Sequence, residues 1–363
     1  MLIFLVVVYY IIYTLICNPN QGDYQYHVID YYKYNHINDF YTNNNLLRYL
    51  LNICHLLNFD LIISASFILS FFIGVRLFFY YHLLNTKSIV RSILAISFCL
   101  IMPLINIGTG EIYVGNWVGN IWHSPTFIPM MAFAPICIFY FNKVIINGDR
   151  KKSNLIAMSL AMFLCCFSKP SFIIVFIPAC LIWIVIDGVL KSNKNNIIER
   201  IKIGLLVSSV TLVFLLIAFI FEYTKSTGGD KIIVAPFWIW EIFVKNKLNI
   251  LFSIISSLGI GISIYIINKR YKDSKSNFYS LLLLIGMLYF IIFAEEKRYY
   301  AANFSWSYSS AGLMFIVFLL IDFFNNYPQY KKNKLNYAVI ILFLLQIING
   351  VCYMYMLYTG SGI

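Results

Sequence analysis

About eleven mostly apolar runs, each long enough to cross a bilayer or nearly so, divide this chain and leave only short connections between them. They fall at 2–17, 59–82, 92–107, 126–142, 154–168, 171–187, 203–221, 247–268, 279–294, 309–324 and 336–357. In hydrocarbon every backbone N–H and C=O must be satisfied within the chain, so such runs fold as helices packed side by side. The expected fold is all-α: a polytopic transmembrane bundle of about eleven helices, with short interfacial helices in the longer connections. Only 12% of the residues are charged and 61% are hydrophobic, against roughly 25% charged in soluble domains. Residues 1–363 therefore read as one integral membrane domain with no room for a separate soluble one.

The net charge of +12 does not point to nucleic acid. The cations lie in short clusters between apolar runs, without the basic groove and interleaved aromatics of a nucleic-acid binder. The clusters are Lys87 and Arg91; Lys143, Arg150, Lys151 and Lys152; Lys191, Lys194, Arg200 and Lys202; Lys269, Arg270, Lys272 and Lys275; and Lys331, Lys332 and Lys334. Counting eleven helices puts all of them on one side, which the positive-inside rule makes cytoplasmic, together with the N-terminus. The same parity requires the apolar stretch 155–186 to be a hairpin of two short helices turning at Lys169-Pro170. The chain begins directly with an apolar run, lacking a basic n-region and an A-x-A site, so that run reads as a retained first helix. No CxxC and no Cys/His metal spacing is present. Most cysteines read as small buried hydrophobes, while Cys17 and Cys54, near the outer face, are candidates to pair.

Acidic residues and tryptophans gather in the opposite, outer connections: 18–58, 108–125, the 168–170 apex, 222–246 and 295–308. Asp23 lies just past the first helix, where a carboxylate can take a proton from a hydroxyl or hold a divalent cation (Mg or Mn) against a phosphate. Whether a metal is needed is left open. His27 shares a helix face with Asp23 if that stretch is helical. In the second outer loop Glu111 precedes Trp117, Trp122 and His123; indole faces stack on sugar rings and imidazole bonds hydroxyls. An interfacial aromatic belt accounts for the same tryptophans.

Lys169, at the apex of two short helices, is drawn toward the bundle and suits a phosphate; snorkelling to headgroups is the alternative. Glu295-Glu296-Lys297-Arg298-Tyr299-Tyr300 places cations beside a span on the side where they are disfavoured. Arg298 offers a fork for phosphate oxygens, and pairing with Glu295 or Glu296 explains it equally well. Ile232–Phe243, with Trp238 and Trp240, reads as a helix lying in the outer interface, where it could cover a lipid-linked substrate. No Walker, HExxH or GxSxG motif appears.

An acidic residue just after the first helix, on the outer face of a many-helix protein, resembles the GT-C superfamily of membrane glycosyltransferases. Gly22-Asp23-Tyr24, with Tyr26 and further tyrosines downstream, is similar to the exopolysaccharide and O-antigen polymerases of bacterial envelopes. That resemblance implies a sugar donor carried on polyprenyl phosphate or pyrophosphate, a glycan acceptor, and an extracytoplasmic site in the bacterial inner membrane. Asp23 would be the acceptor-activating base, with His27 or His123 behind it. Many members carry a second acidic residue beside the first; here Glu111 would have to serve from the next loop. The charges themselves add Lys169, Lys297 and Arg298 for the leaving phosphate, and Trp117, Trp122, Tyr299 and Trp306 for the sugar.

Two rivals remain. A flippase for a lipid-linked oligosaccharide would need charge near the midplane and discontinuous helices in matching halves. A membrane O-acyltransferase would need a His or Arg deep in a helix. Arg76 is the best candidate for the latter, and snorkelling explains it as well.

Overall fold

The computed structural model describes residues 45–102, 124–190, 194–221, 231–243, 247–270, 275–297, 304–330 and 334–359, together with Val7, Tyr10, Thr14 and Val28. Of the first expected span, Val7, Tyr10 and Thr14 are helical, and the Thr14 hydroxyl donates to the Tyr10 carbonyl at 2.8 Å.

Asn45 opens the first continuous stretch by capping a helix within 18–58, a segment whose sequence reads as an outer loop. Its side-chain oxygen accepts from the Arg48 amide at 3.1 Å, and α1 runs Leu46–Leu56. Leu47, Arg48 and Leu51 face inward, while Ile53 and Leu56 are exposed, as suits a helix lying along an interface. α1 ends in a left-handed residue, Asn58 at φ 59°. The Asn58 amide donates to the His55 carbonyl at 2.9 Å and that of Phe59 to Cys54 at 3.0 Å, the paired bonds of a Schellman end. Asp60 then caps α2 (Leu61–Leu83), its carboxylate accepting from the Ile63 amide at 2.9 Å. Two caps separated by one residue make a rigid corner.

α3 (Ser88–Leu100) follows, and then α4 (Phe127–Tyr140), which continues as a π-helical turn over Phe141–Ile146. Gly148, at φ 74°, turns the chain into α5 (Lys152–Ser168). α5 and α6 (Ile173–Leu190) form the expected hairpin at Lys169-Pro170. Lys169 is extended there (φ −163°), since a residue before proline is pushed out of the helical region. α7 is Lys194–Phe221.

The segment 232–243 departs from expectation. Only Trp238–Phe243 (α8) is helical, and Ile232–Val234 (β1) pairs antiparallel with Phe293–Glu295 (β2), placing Ile232 opposite Glu295. α9 (Lys247–Arg270), α10 (Lys275–Ile292), α11 (Ser305–Asn325), the short α12 (Tyr327–Tyr330) and α13 (Leu335–Thr359) complete the chain.

Among the described residues, seven helices are long and apolar enough to cross a membrane: α2, α4 with its π turn, α6, α7, α10, α11 and α13. α11 is the hub. Its apolar window is 89% buried, against 17% for α7 and 28% for α13, which carry apolar side chains on their outer faces as lipid-exposed helices do. Small residues let α11 be approached closely: a Cβ added to Gly286 of α10 would lie 2.9 Å from Ala311 Cβ and 3.0 Å from the Ser307 carbonyl.

The two ends of the bundle differ. The basic end is more than a set of charge signals, because ion pairs tie its connections. Arg200 and Asp187 are buried and meet at 2.7 Å, Arg150 pairs with Glu199, and Lys143 lies 3.9 Å from Asp149. Asn325 donates to the Leu83 carbonyl at 2.9 Å and accepts from the Asn85 amide at 2.7 Å. The other end carries the α1–α2 corner, the α5–α6 apex and the β1–β2 ribbon.

Candidate functional site

α11 begins at this second end and directs Trp306 toward the α5–α6 apex. The Lys169 ammonium sits 3.7 Å from the centroid of the Trp306 ring system. An ammonium over an indole face is held by the ring quadrupole with about 0.5–2 kcal/mol, more as water is excluded. Lys169 is half-buried, and Phe127, the first residue of α4, packs against Trp306 with ring centroids 5.2 Å apart.

Hydroxyls line the adjoining backbone. Ser124 and Thr126, both buried, bond to each other at 3.2 Å before α4, and the buried Ser171 hydroxyl lies 3.4 Å from Met130 Sδ. α1 covers the apex from the side, with Tyr49 against Phe167 at 5.2 Å. The adjacent Arg48 is 3% exposed, a buried cation at this same end.

The ribbon lies at the same end, where Phe293 of β2 packs against Phe304 with ring centroids 5.9 Å apart. The Ala235 and Phe237 amides donate to the Ile292 and Ile291 carbonyls at 2.9 and 2.8 Å, and that of Glu296 to Lys231 at 2.9 Å. The last carbonyls of α10 would otherwise be orphaned by the helix end. Phe237 has φ 62°, a conformation costing a non-glycine residue about 1–3 kcal/mol. Glu295 is buried within β2, whereas Glu296 and Lys297 are exposed.

Of the residues singled out in the sequence, the structure thus unites Lys169 and Trp306 and leaves Lys297 pointing away from the protein interior. Asp23, His27, Glu111, Trp117, Trp122, His123, Arg298 and Tyr299 lie outside the described residues. No protein-family model and no curated protein matches this chain.

Among the described residues no group of three His, Cys, Asp or Glu side chains is placed to hold a metal ion. Cys54 carries a free thiol, and Cys17, its suggested partner, lies outside the described residues.

Sequence reasoning missed Arg48, although the helix signature around it was available: a capping Asn45 followed by apolar residues at 46, 47, 50, 51, 53 and 54. Of the two readings of Arg76, a cation deep in a helix or one snorkelling outward, the structure favours the first, since Arg76 is 2% exposed inside the bundle. Its Nε donates to the Tyr80 hydroxyl at 3.0 Å, and its guanidinium carbon lies 5.3 Å from that ring's centroid.

Chemically, the Lys169 end offers a fixed cation, an indole face beside it and hydroxyls within the same wall. A phosphate suits the cation and a sugar ring suits the aromatic face. Partial removal from water strengthens the charge interaction, because Coulomb energy scales inversely with the local dielectric.

Proposed function

We propose that this chain is a membrane glycosyltransferase or polysaccharide polymerase. It transfers a sugar or oligosaccharide from a polyprenyl-(pyro)phosphate donor to a glycan acceptor at the extracytoplasmic face. The observation that carries this reading is the Lys169 ammonium resting on Trp306, with the buried Arg48 at the same end of the bundle. It supports a site that receives phosphate and sugar together, on the side away from the basic connections.

In the reaction the acceptor hydroxyl oxygen bonds to the anomeric carbon while the carbon–oxygen bond to phosphate breaks. The acceptor proton passes to a carboxylate, for which Asp23 is the candidate and Glu111 the second. The bonding electrons leave with the phosphate oxygen, where Lys169 and Arg298 offset the growing negative charge. Preorganised charge at that point lowers the barrier because nothing must reorient as the bond breaks. Trp306, with Trp117 and Trp122, would hold the sugar.

Transport without bond-making is the second reading, and one observation favours it. Arg76 lies buried inside a spanning helix, the placement an anion pathway uses.

The test is sugar transfer from native polyprenyl-linked donors by the purified protein, comparing wild type with Lys169→Ala, Trp306→Ala and Asp23→Asn. Lys169→Ala should lower the rate by about 10²-fold, the loss typical of removing one preorganised stabilising group. Fully active Lys169→Ala and Trp306→Ala proteins would remove the site from this end. Absence of product from wild type, with donor translocation in liposomes, would establish transport instead.

A further inference from the structure

Ser257 of α9, Tyr308 of α11 and Gln346 of α13 are each at most 1% exposed, and α9 packs against both of the other two helices. The Gln346 amide nitrogen lies 3.5 Å from both the Ser256 and Ser257 carbonyl oxygens, and the Ser257 side chain lies beside Tyr308. The three residues therefore share one polar neighbourhood around Ser257 inside the bundle. Among the described residues Gln346 Oε1 nonetheless has no hydrogen-bond partner, and Ser257 Oγ and Tyr308 Oη have none beyond each other. The Gln346 contacts are also longer than ordinary hydrogen bonds.

Aromatic packing does not explain the hydroxyl. Tyr308 stacks on Phe290 with centroids 5.9 Å apart and planes 9° apart, a contact phenylalanine would make equally well. A buried hydroxyl or amide left unmet is destabilising, and in this seam the amide oxygen is unmet and the two hydroxyls have only each other.

We propose that Ser257, Tyr308 and Gln346 bind neutral hydroxyl groups within the membrane. Hydroxyls both give and accept hydrogen bonds and the amide oxygen accepts them, and the group contains no charged side chain, so a neutral ligand suits it better than an ion. Tyr308 lies within one helical turn of Trp306, so the group extends inward from the Lys169 end. Bound water and the hydroxyls of a substrate share this chemistry. The proposal stands whether or not the chain transfers sugars.

Hydroxyl-radical footprinting of the purified protein in detergent, read by mass spectrometry, separates the possibilities. Tyr308 should be oxidised despite its burial, since radicals form at bound water, and the label should be lost in Gln346→Leu. Protection of Tyr308 by an added extract of the native membrane lipids would identify a substrate hydroxyl. Unchanged labelling would identify resident water. Thermal unfolding gives a second readout: Tyr308→Phe, Ser257→Ala and Gln346→Leu should each lower Tm, because each removes a bond to the ligand. An unlabelled Tyr308, or a rise in Tm in Tyr308→Phe and Gln346→Leu, would show a dry seam and overturn the proposal.

Discussion

Asn58, Asp60 and Lys169 show what single residues contribute at the end that carries the Lys169–Trp306 pair. Asp60 satisfies the Ile63 amide at the start of α2, and a cap of this kind is worth about 1 kcal/mol. Asp60→Ala should therefore lower thermal stability, whereas Asn58→Gly should raise it, because glycine adopts the left-handed geometry at φ 59° without a side-chain penalty. Opposite signs in two substitutions one residue apart would confirm the corner; two decreases would refute it. Lys169 was legible in sequence as a charge between two apolar arms. Its indole partner was not, because Trp306 lies far along the chain and nothing local to either residue marks the other.

At the scale of elements, legibility followed hydrophobicity. Among the described residues the long apolar runs became helices, most near their expected bounds although α7 begins at Lys194 instead of 203, and the α5–α6 hairpin turns where the basic flanks require. The exceptions are short elements whose backbone partners are distant. β1 exists because β2 and the last carbonyls of α10 accept its segment, so Ile232–Val234 looked helical until its partner was known.

The buried pair between α6 and α7 is likewise tertiary. Removing one partner of such a pair leaves a buried charge and costs about 3–5 kcal/mol. Asp187→Ala should accordingly destabilise the protein strongly, while Asp187→Leu combined with Arg200→Leu should recover much of the loss. Thermal unfolding in detergent reads both. A single substitution as mild as the double would mean that water reaches the pair.

For the whole molecule, α11 forms the hub and α7 and α13 the lipid-facing rim. The Lys169 site and the ion-paired basic connections lie at opposite ends. By the positive-inside rule the expected orientation puts the basic end in the cytoplasm. In a cysteine-free background, Glu296→Cys should react with a membrane-impermeant maleimide on intact cells, and Lys151→Cys only after permeabilisation. Both positions are exposed in the structure, so the reverse pattern would invert the orientation and move the site to the cytoplasm.

The sequence by itself determined that the chain lives in a bilayer, roughly where its helices run, and which end gathers aromatic and acidic residues. These properties follow from local hydrophobicity and charge, which act on each segment separately. Only the tertiary structure decided that Lys169 rests on Trp306, that Arg76 is buried against Tyr80, and that Ser257, Tyr308 and Gln346 share one seam. Those are contacts between helices, and in lipid helix association is governed by close fit and hydrogen bonding, since the hydrophobic effect no longer distinguishes one apolar face from another.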